Sequence, residues 1–191
     1  MTDVSVRLAD PADRPTLERL WLLFRHDMSE YSGVLPNPDG TFRSDRLHAA
    51  LTRADWAPYL LTSDGSPAGL ALVRSLAGPT RVLSGFFVVR GVRRTGIGLR
   101  AVREVVARHP GPWEVAFQQG NATAVAFWRR VATEIAGEAW TEERRPVPGR
   151  PDLPPDTWIS FTAPAEAQGG TSSASVSRAP GLHVHGHTSS A

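Results

Sequence analysis

The chain has 191 residues, no cysteine and a formal net charge of +2, with 21 basic residues, all arginine, against 19 acidic ones. That length suits one domain with a sizeable core, and the missing cysteines exclude disulfides, a cysteine nucleophile and a thiolate metal site. No apolar stretch is long enough to span a membrane and no N-terminal signal pattern is present, so we expect a soluble, cytoplasmic protein without a membrane partner.

The N-terminal half predicts a strand, two helices and a β-hairpin. Residues 4–8 alternate between apolar and polar as a strand does, and apolar residues recur with helical spacing over residues 15–29. A loop that contains prolines and glycines leads to a second, short helix. Two strands, residues 59–62 and 68–73, then flank the sequence Ser-Asp-Gly-Ser, which is a strong hairpin signal.

An apolar run over residues 82–89 ends in a glycine-rich turn, and an amphipathic helix starts directly after it. Such a turn leaves backbone N–H groups unpaired at the start of the helix, where the helix dipole also favours phosphate oxygens. Gly96 and Gly98 have no Cβ to hold a ligand away, and Arg93 and Arg94 add charge-assisted hydrogen bonds. The segment predicts an anion site, but an ordinary strand-to-helix turn has the same local pattern.

Two other phosphate-binding loops do not fit this turn. A nucleoside-triphosphate loop requires a lysine, and the chain contains none. The dinucleotide fingerprint requires a third glycine at the position where Ala101 stands. The turn therefore predicts neither of these nucleotide classes.

The C-terminal half contains a second strand-to-helix junction. Residues 113–117 are typical of a short buried strand, and Asn121 opens a helix predicted over residues 122–135. Asn121 suits an N-cap, so capping is the alternative to a ligand-binding role. Two closing strands are predicted over residues 138–144 and 157–162.

The two junctions together resemble the acyl-CoA-binding segments of the GCN5-related N-acetyltransferase (GNAT) family. The first has the pattern R-x-x-G-x-G from Arg93, and the second has N-x-x-A-x-x-F-W from Asn121. The resemblance covers about residues 3–162, and the chain is identified as a bacterial member. It implies an α/β fold with a mixed, mostly antiparallel central sheet flanked by helices on both faces.

The resemblance also implies direct transfer of an acetyl group from acetyl-CoA, the acyl donor, to an amine of a small-molecule or protein acceptor, with no metal. The glycine-rich turn would hold the pyrophosphate. Backbone groups of residues 86–88 would bind the pantetheine arm, and an N–H of the same strand would stabilise the developing oxyanion. The implied cofactor-binding residues are Phe86, Val88, Arg93, Arg94, Thr95, Gly96, Ile97, Gly98, Leu99, Asn121, Phe127 and Trp128.

Trp128 departs from the family pattern, which usually has an acid tyrosine at this position. An indole N–H donates a hydrogen bond but cannot serve as a proton-transfer acid. Two interpretations remain open. Either water or another group protonates the thiolate in a working enzyme, or the chain is an acyl-CoA-binding module with weak or no catalysis.

Candidate acceptor-binding residues lie at the end of the first predicted helix. Asp27 and Glu30 could attract a cationic amine and Tyr31 could wall its pocket, although a polar helix end packed on the core has the same sequence. Glu114 is a candidate general base because it lies on the strand beside the expected cleft. If strand alternation turns it outward, it is only a solvent-exposed residue.

The composition changes after residue 163. Residues 1–163 are predicted to form the acetyltransferase domain, and residues 164–191 a disordered tail, because their Ala, Ser and Gly bury too little apolar surface. Three alternating histidines in this tail are predicted to bind metal only adventitiously. The arginines lack the pattern of a nucleic-acid-binding stripe, so we expect no nucleic-acid partner and a monomer or homodimer.

Overall fold

A seven-stranded sheet organises the described residues, 3–147 and 152–165, of the computed structural model. The elements in chain order are β1 (Val4–Leu8), α1 (Arg14–Ser32), α2 (Asp45–Thr52), β2 (Trp56–Ser63), β3 (Ser66–Arg74), β4 (Arg81–Val88), α3 (Ile97–Ala107), β5 (Gly111–Phe117), α4 (Ala122–Ala136), β6 (Trp140–Arg145) and β7 (Asp156–Ala163). The strand order is β1-β2-β3-β4-β5-β7-β6. Every neighbouring pair is antiparallel except β4 and β5, which run parallel.

Helices cover both faces of the sheet, as expected, because each helix has one apolar stripe. On one face, Leu17, Leu20 and Trp21 of α1 pack with α2 against β2, β3 and β4. On the other face, the buried residues of α3 and α4 form a larger core with the alternate side chains of the strands. The predicted fold class, a mixed and mostly antiparallel sheet between two helical layers, is confirmed.

The parallel strands β4 and β5 separate shortly after they begin. They pair only from Arg81 to Leu83 on β4, opposite Trp113 to Val115 on β5. Ser84 is an extra residue in β4, because Leu72 pairs with Gly85 whereas Val73 pairs with Leu83. A bulge of this kind bends a strand and increases its twist. Past the bulge, the edge of β4 that faces β5 has no strand partner, and a gap opens between the two strands.

Most predicted elements are present with somewhat different bounds. The first strand matches over all five residues, whereas α1 runs from Arg14 to Ser32, beyond the predicted residues 15–29. Gly33 ends α1 in the left-handed conformation, at a φ of 65°. Sequence patterns did not predict that β7 lies between β5 and β6. The predicted tail beyond residue 165, with its histidines, lies outside the described residues.

Candidate active site

A cleft of about 460 Å³ lies at the end of β4, where the gap between β4 and β5 meets the start of α3, the start of α4 and the C-terminal part of α1. A volume of this size is typical of a small-molecule site. Most of the predicted site residues line it, namely Asp27, Glu30, Tyr31, Phe86, Val88, Arg93, Arg94, Gly96, Ile97, Gly98, Leu99, Asn121, Phe127 and Trp128. Thr95 and Glu114 do not line the cleft.

The glycine-rich turn presents free backbone donors to this cleft. Arg94 and Gly96 have left-handed φ values of 66° and 87°, and successive turns of this kind make concave sites for anions. Within the described part of the chain, no acceptor takes a hydrogen bond from the amide N–H groups of residues 94–99. A Cβ built at Gly96 would meet no atom within 4 Å. The predicted anion site therefore has unpaired donors and open space in front of them.

The absence of a side chain at Gly98 affects the packing of α3 as well as the access of a ligand to the turn. A Cβ at this position would lie 3.3 Å from Cε2 of Phe127, which is a tight contact. The Phe127 ring stacks on the ring of Phe86, with centroids 5.7 Å apart and planes at 9°. The lack of a side chain at Gly98 thus lets the helix α3 approach this aromatic pair. The sequence had suggested only that glycine leaves room for a ligand.

Arg93 lines the cleft and also contacts two protein partners. Its Nε donates to the carbonyl oxygen of Val88 at 2.7 Å, and its Nη2 is paired with the carboxylate of Asp27. Arg90 donates to the same carboxylate at 3.0 Å. Burial opposes the charged form, but these two guanidinium groups outweigh it and hold the pKa of Asp27 below its ordinary value. Arg93 therefore braces the turn against α1, and the Asp27 carboxylate is not free to bind a cationic amine.

Aromatic side chains form one wall of the cleft. The Trp128 ring meets Phe86 edge-on at 5.5 Å and Phe127 at 4.8 Å. Trp128 is 7% exposed, so its ring belongs to both the core and the cleft. Asn121 caps α4, because its side-chain oxygen accepts a hydrogen bond from the N–H of Ala124 at 2.9 Å. The capping interpretation of Asn121 is confirmed, and its position in the cleft wall leaves it next to any bound ligand.

The whole arrangement matches a known family. The family model described as Acetyltransferase (GNAT) family matches residues 19–132, which include the turn, the gap between β4 and β5 and most of α4. The chain belongs to the GNAT family. As a member, it is an acyl-CoA-dependent N-acetyltransferase with acetyl-CoA as the acyl donor, and its acceptor is not identified. A comparison with curated proteins found no match.

Solved GNAT structures have the same fold at low sequence identity. The ribosomal-protein-S18-alanine N-acetyltransferase from Escherichia coli is 13% identical, with a TM-score of 0.57 over 87% of this chain and 98% of the other. RimL, a ribosomal L7/L12 alpha-N-protein acetyltransferase in complex with coenzyme A, is 14% identical, with a TM-score of 0.61 over 85% and 96%. An aminoglycoside acetyltransferase in complex with coenzyme A is 17% identical, with a TM-score of 0.58 over 84% and 95%.

The described residues of this GNAT protein contain no group of three or more His, Cys, Asp or Glu side chains that could hold a metal ion. Among residues 3–147 and 152–165, no helix has both the length and the apolar character needed to cross a bilayer.

In this GNAT protein Glu114 lies on the α1–α2 face of the sheet and does not line the cleft, since its neighbours Trp113 and Val115 point into the α3 and α4 core. Arg145 donates to its Oε1 at 2.8 Å and Ser160 donates to the same oxygen at 3.3 Å. The hydrogen bond from Arg145 outweighs partial burial and holds the pKa of Glu114 below its ordinary value. A general base works best when its pKa is near the operating pH. The geometry therefore argues against Glu114 as the base.

We expect Glu114→Gln to lower kcat by less than about tenfold, whereas loss of a true general base costs about 100-fold or more. The measurement is kcat across pH 5 to 9, with Glu143→Gln as the matched control, because Glu143 also pairs with Arg145. The depressed pKa predicts that Glu114 stays ionised throughout this window and adds no acidic limb to the profile. A loss of about 100-fold together with the disappearance of an acidic limb would restore Glu114 as the base.

Proposed function

We propose that this GNAT protein transfers the acetyl group of acetyl-CoA to an amine of a small-molecule or protein acceptor by direct attack at the β4–β5 gap. The observation that carries the proposal is the row of unpaired N–H groups of residues 94–99 at the mouth of that gap. These donors and the N-terminal end of α3 fit the pyrophosphate of an acyl-CoA. A Cβ built at Gly96 would meet no atom within 4 Å, so the turn also has space for the pyrophosphate.

The residues around the cleft have separate proposed roles toward acetyl-CoA. Arg94 is exposed beside the turn and adds a charge for the phosphates. The unpaired edge of β4 from Phe86 to Val88 runs along the gap and suits the extended pantetheine arm, although the Val88 carbonyl already accepts from Arg93. Phe127 and Trp128 wall the thiol end, and Asn121 lies beside it.

Acetyl transfer from acetyl-CoA to an amine requires exchange of two bonds, stabilisation of the oxyanion and transfer of protons. The neutral amine attacks the thioester carbonyl carbon, so that a C–N bond forms while the C–S bond breaks. A backbone N–H on the free edge of β4 stabilises the negative charge that develops on the carbonyl oxygen. The described part of the cleft offers the thiolate no tyrosine at the family's position, since Trp128 occupies it. Another group or water must then protonate the thiolate, and we propose that water takes the proton of the amine and returns one to the thiolate.

The experiment that tests this proposal measures the release of free thiol from acetyl-CoA across a panel of amines. Turnover with at least one amine supports the acetyltransferase. Binding of acetyl-CoA without thiol release from any amine favours the alternative, an acyl-CoA-binding module with weak or no catalysis. A protein that does not bind acetyl-CoA at all would contradict both.

The source, the compartment, the oligomeric state and the partners of the protein are proposed from the sequence. We propose a bacterial, cytoplasmic enzyme, monomeric or homodimeric, without nucleic-acid or membrane partners. Light scattering of the pure protein tests the oligomeric state. Fractionation of the source cells tests the compartment.

We also propose that the acetyltransferase domain ends with β7 at Ala163, where the last strand of the sheet ends. Cutting the chain after Ala163 should leave the melting temperature within a few degrees and the acetyl-CoA affinity unchanged, because no element of the sheet is removed. Thermal unfolding and calorimetry measure the two quantities. A large loss in either would mean that residues 164–191 contribute to the fold or to the site.

A further inference from the structure

A group of arginines lies on the α1–α2 face of the sheet, at the place where β4 and β5 begin to separate. Arg46, near the start of α2, donates from Nη1 to the carbonyl oxygen of Ser84 at 3.2 Å, and Ser84 is the bulge residue of β4. Arg74 ends β3 and continues the alternation of Leu70 and Leu72, which face α1 and α2. The group therefore lies on the α1–α2 side of the gap.

These arginines have no carboxylate partner. Arg25, Arg46 and Arg74 form no ion pair within the described part of the chain, whereas most arginines elsewhere on the surface do. The Nε atom of Arg25 is fully buried and makes no hydrogen bond. A buried donor without an acceptor is costly, and native proteins rarely leave one unless a ligand or water uses it. The arrangement is what a site for an anionic group would need.

The charges also act on one another. Burial lowers the pKa of Arg46, and the positive charges of Arg74 and Arg25 lower it further. Burial likewise lowers the pKa of Arg25, with Arg43 as the neighbouring cation. Solvent still reaches Arg46, so a ligand in solution has access to it. Positive charge that the fold concentrates and does not neutralise attracts an anion and repels a cation.

Two acidic residues, Asp156 and Glu114, lie near this group without forming an ion pair with any of its three arginines. Asp156, at the start of β7, acts on Arg46 by its charge but forms no ion pair with it. Burial raises the pKa of Asp156, and the charge of Arg46 only partly offsets that effect. The nearby Glu114 is already paired with Arg145. The balance of charge on this face is therefore positive.

We propose that the acceptor amine carries an oxyanion group, a carboxylate or a phosphate, which Arg25, Arg46 and Arg74 bind while the amine reaches into the β4–β5 gap. The proposal rests on the proposed acetyl transfer and names the substrate class for that site. It replaces the cationic acceptor expected from Asp27 and Glu30, because the carboxylate of Asp27 is neutralised by Arg90 and Arg93. Guanidinium groups bind both carboxylates and phosphates, so the experiment below distinguishes the two.

The test compares amines in matched pairs on the full chain saturated with coenzyme A. β-Alanine against β-alaninamide isolates the carboxylate, O-phosphoethanolamine against ethanolamine isolates the phosphate, and spermidine represents a cationic acceptor. We expect at least one acidic amine to bind about tenfold or more tightly than its neutral partner by calorimetry, and to give the higher kcat/KM in thiol release with acetyl-CoA. Equal affinity within both pairs, or preference for the neutral amines or spermidine, would overturn the proposal.

Variants assign the effect to these residues. Arg46→Gln and Arg74→Gln should each reduce the preference for the acidic amine by about tenfold while the affinity for coenzyme A is unchanged. Arg74 makes no side-chain hydrogen bond in the described residues, so its variant should fold even if loss of the Arg46–Ser84 contact is harmful. Arg53→Gln is the matched control, because Arg53 follows the other end of α2 and pairs with Asp55.

The outcomes separate this inference from the proposed function. Acetyl transfer with no preference for acidic amines, or a preference that Arg46→Gln and Arg74→Gln leave intact, overturns the inference and leaves the acetyltransferase standing. Failure to bind acetyl-CoA, or to release thiol with any amine, overturns the proposed function itself.

Discussion

Gly96→Asp should lower the affinity for acetyl-CoA by an order of magnitude or more, a loss of about 1.4–3 kcal/mol. The substitution places a carboxylate among the unpaired N–H groups of residues 94–99, where the pyrophosphate is proposed to lie. A Cβ at Gly96 meets no atom within 4 Å, so the new side chain does not clash with the folded protein. Calorimetry with acetyl-CoA measures the loss, and thermal unfolding checks that the variant is folded.

Two control variants separate the effect of the added negative charge on acetyl-CoA binding from the effect of backbone strain. The φ of Gly96 is +87°, which costs an L-residue about 1–2 kcal/mol. Gly96→Asn has nearly the same shape and strain without the charge, so it should bind acetyl-CoA more tightly than Gly96→Asp. Gly40→Asp introduces the same carboxylate at a φ of +79° with open space around it, away from the cleft, and should leave binding unchanged. Wild-type affinity in a folded Gly96→Asp protein would exclude this turn as the phosphate site.

Trp128→Ala should destabilise the protein by roughly 3–5 kcal/mol and raise the KM for acetyl-CoA at the same time. The Trp128 ring is 7% exposed and packs edge-on against both Phe86 and Phe127, so its removal leaves a cavity in the core and opens the wall of the cleft. Chemical denaturation measures the free energy of unfolding, and initial rates measure KM. Trp140→Ala is the control, because Trp140 packs on the same core without lining the cleft. It should lower stability and leave KM unchanged.

The Trp128→Phe variant distinguishes a packing role of Trp128 from a catalytic role of its indole N–H. Phenylalanine keeps an aromatic wall but has a smaller ring and lacks the indole N–H, for which the described residues supply no acceptor. If water delivers the proton to the thiolate, this variant should keep most of the turnover. Abolished turnover at normal stability and normal acetyl-CoA binding would show that the indole N–H takes part in the reaction.

The pairing of Asp27 with Arg90 and Arg93 joins α1, which carries the candidate acceptor-binding residues, to the glycine-rich turn after β4. Asp27 lies on α1, and the arginines lie directly after β4, 63 and 66 residues further along the chain. The contact holds the C-terminal half of α1 over the cleft, so the same helix lines the cavity and fixes the turn. Asp27 and Arg93, which each suggested a ligand in the sequence, thus pair with one another in the fold.

The strands, the helices and the anion-binding turn could be predicted from the sequence because local patterns encode them. Alternation over residues 4–8 gives β1, and helical spacing gives α1 and α4. Gly96 is needed for a φ of +87°, a requirement that belongs to one residue and its neighbours. The capping role of Asn121 is local as well, since it spans only three residues.

Other features were decided only by the tertiary structure. The partners of Arg93, Glu114 and Gly98 are Asp27, Arg145 and Phe127, and each pair is distant in the chain. A sequence shows that a residue is charged or small, but which other residue contacts it depends on how the elements pack. The insertion of β7 between β5 and β6 likewise places Ser160 against Glu114. Local patterns therefore determined what the chain could form, and long-range packing determined which charges remain free for a ligand.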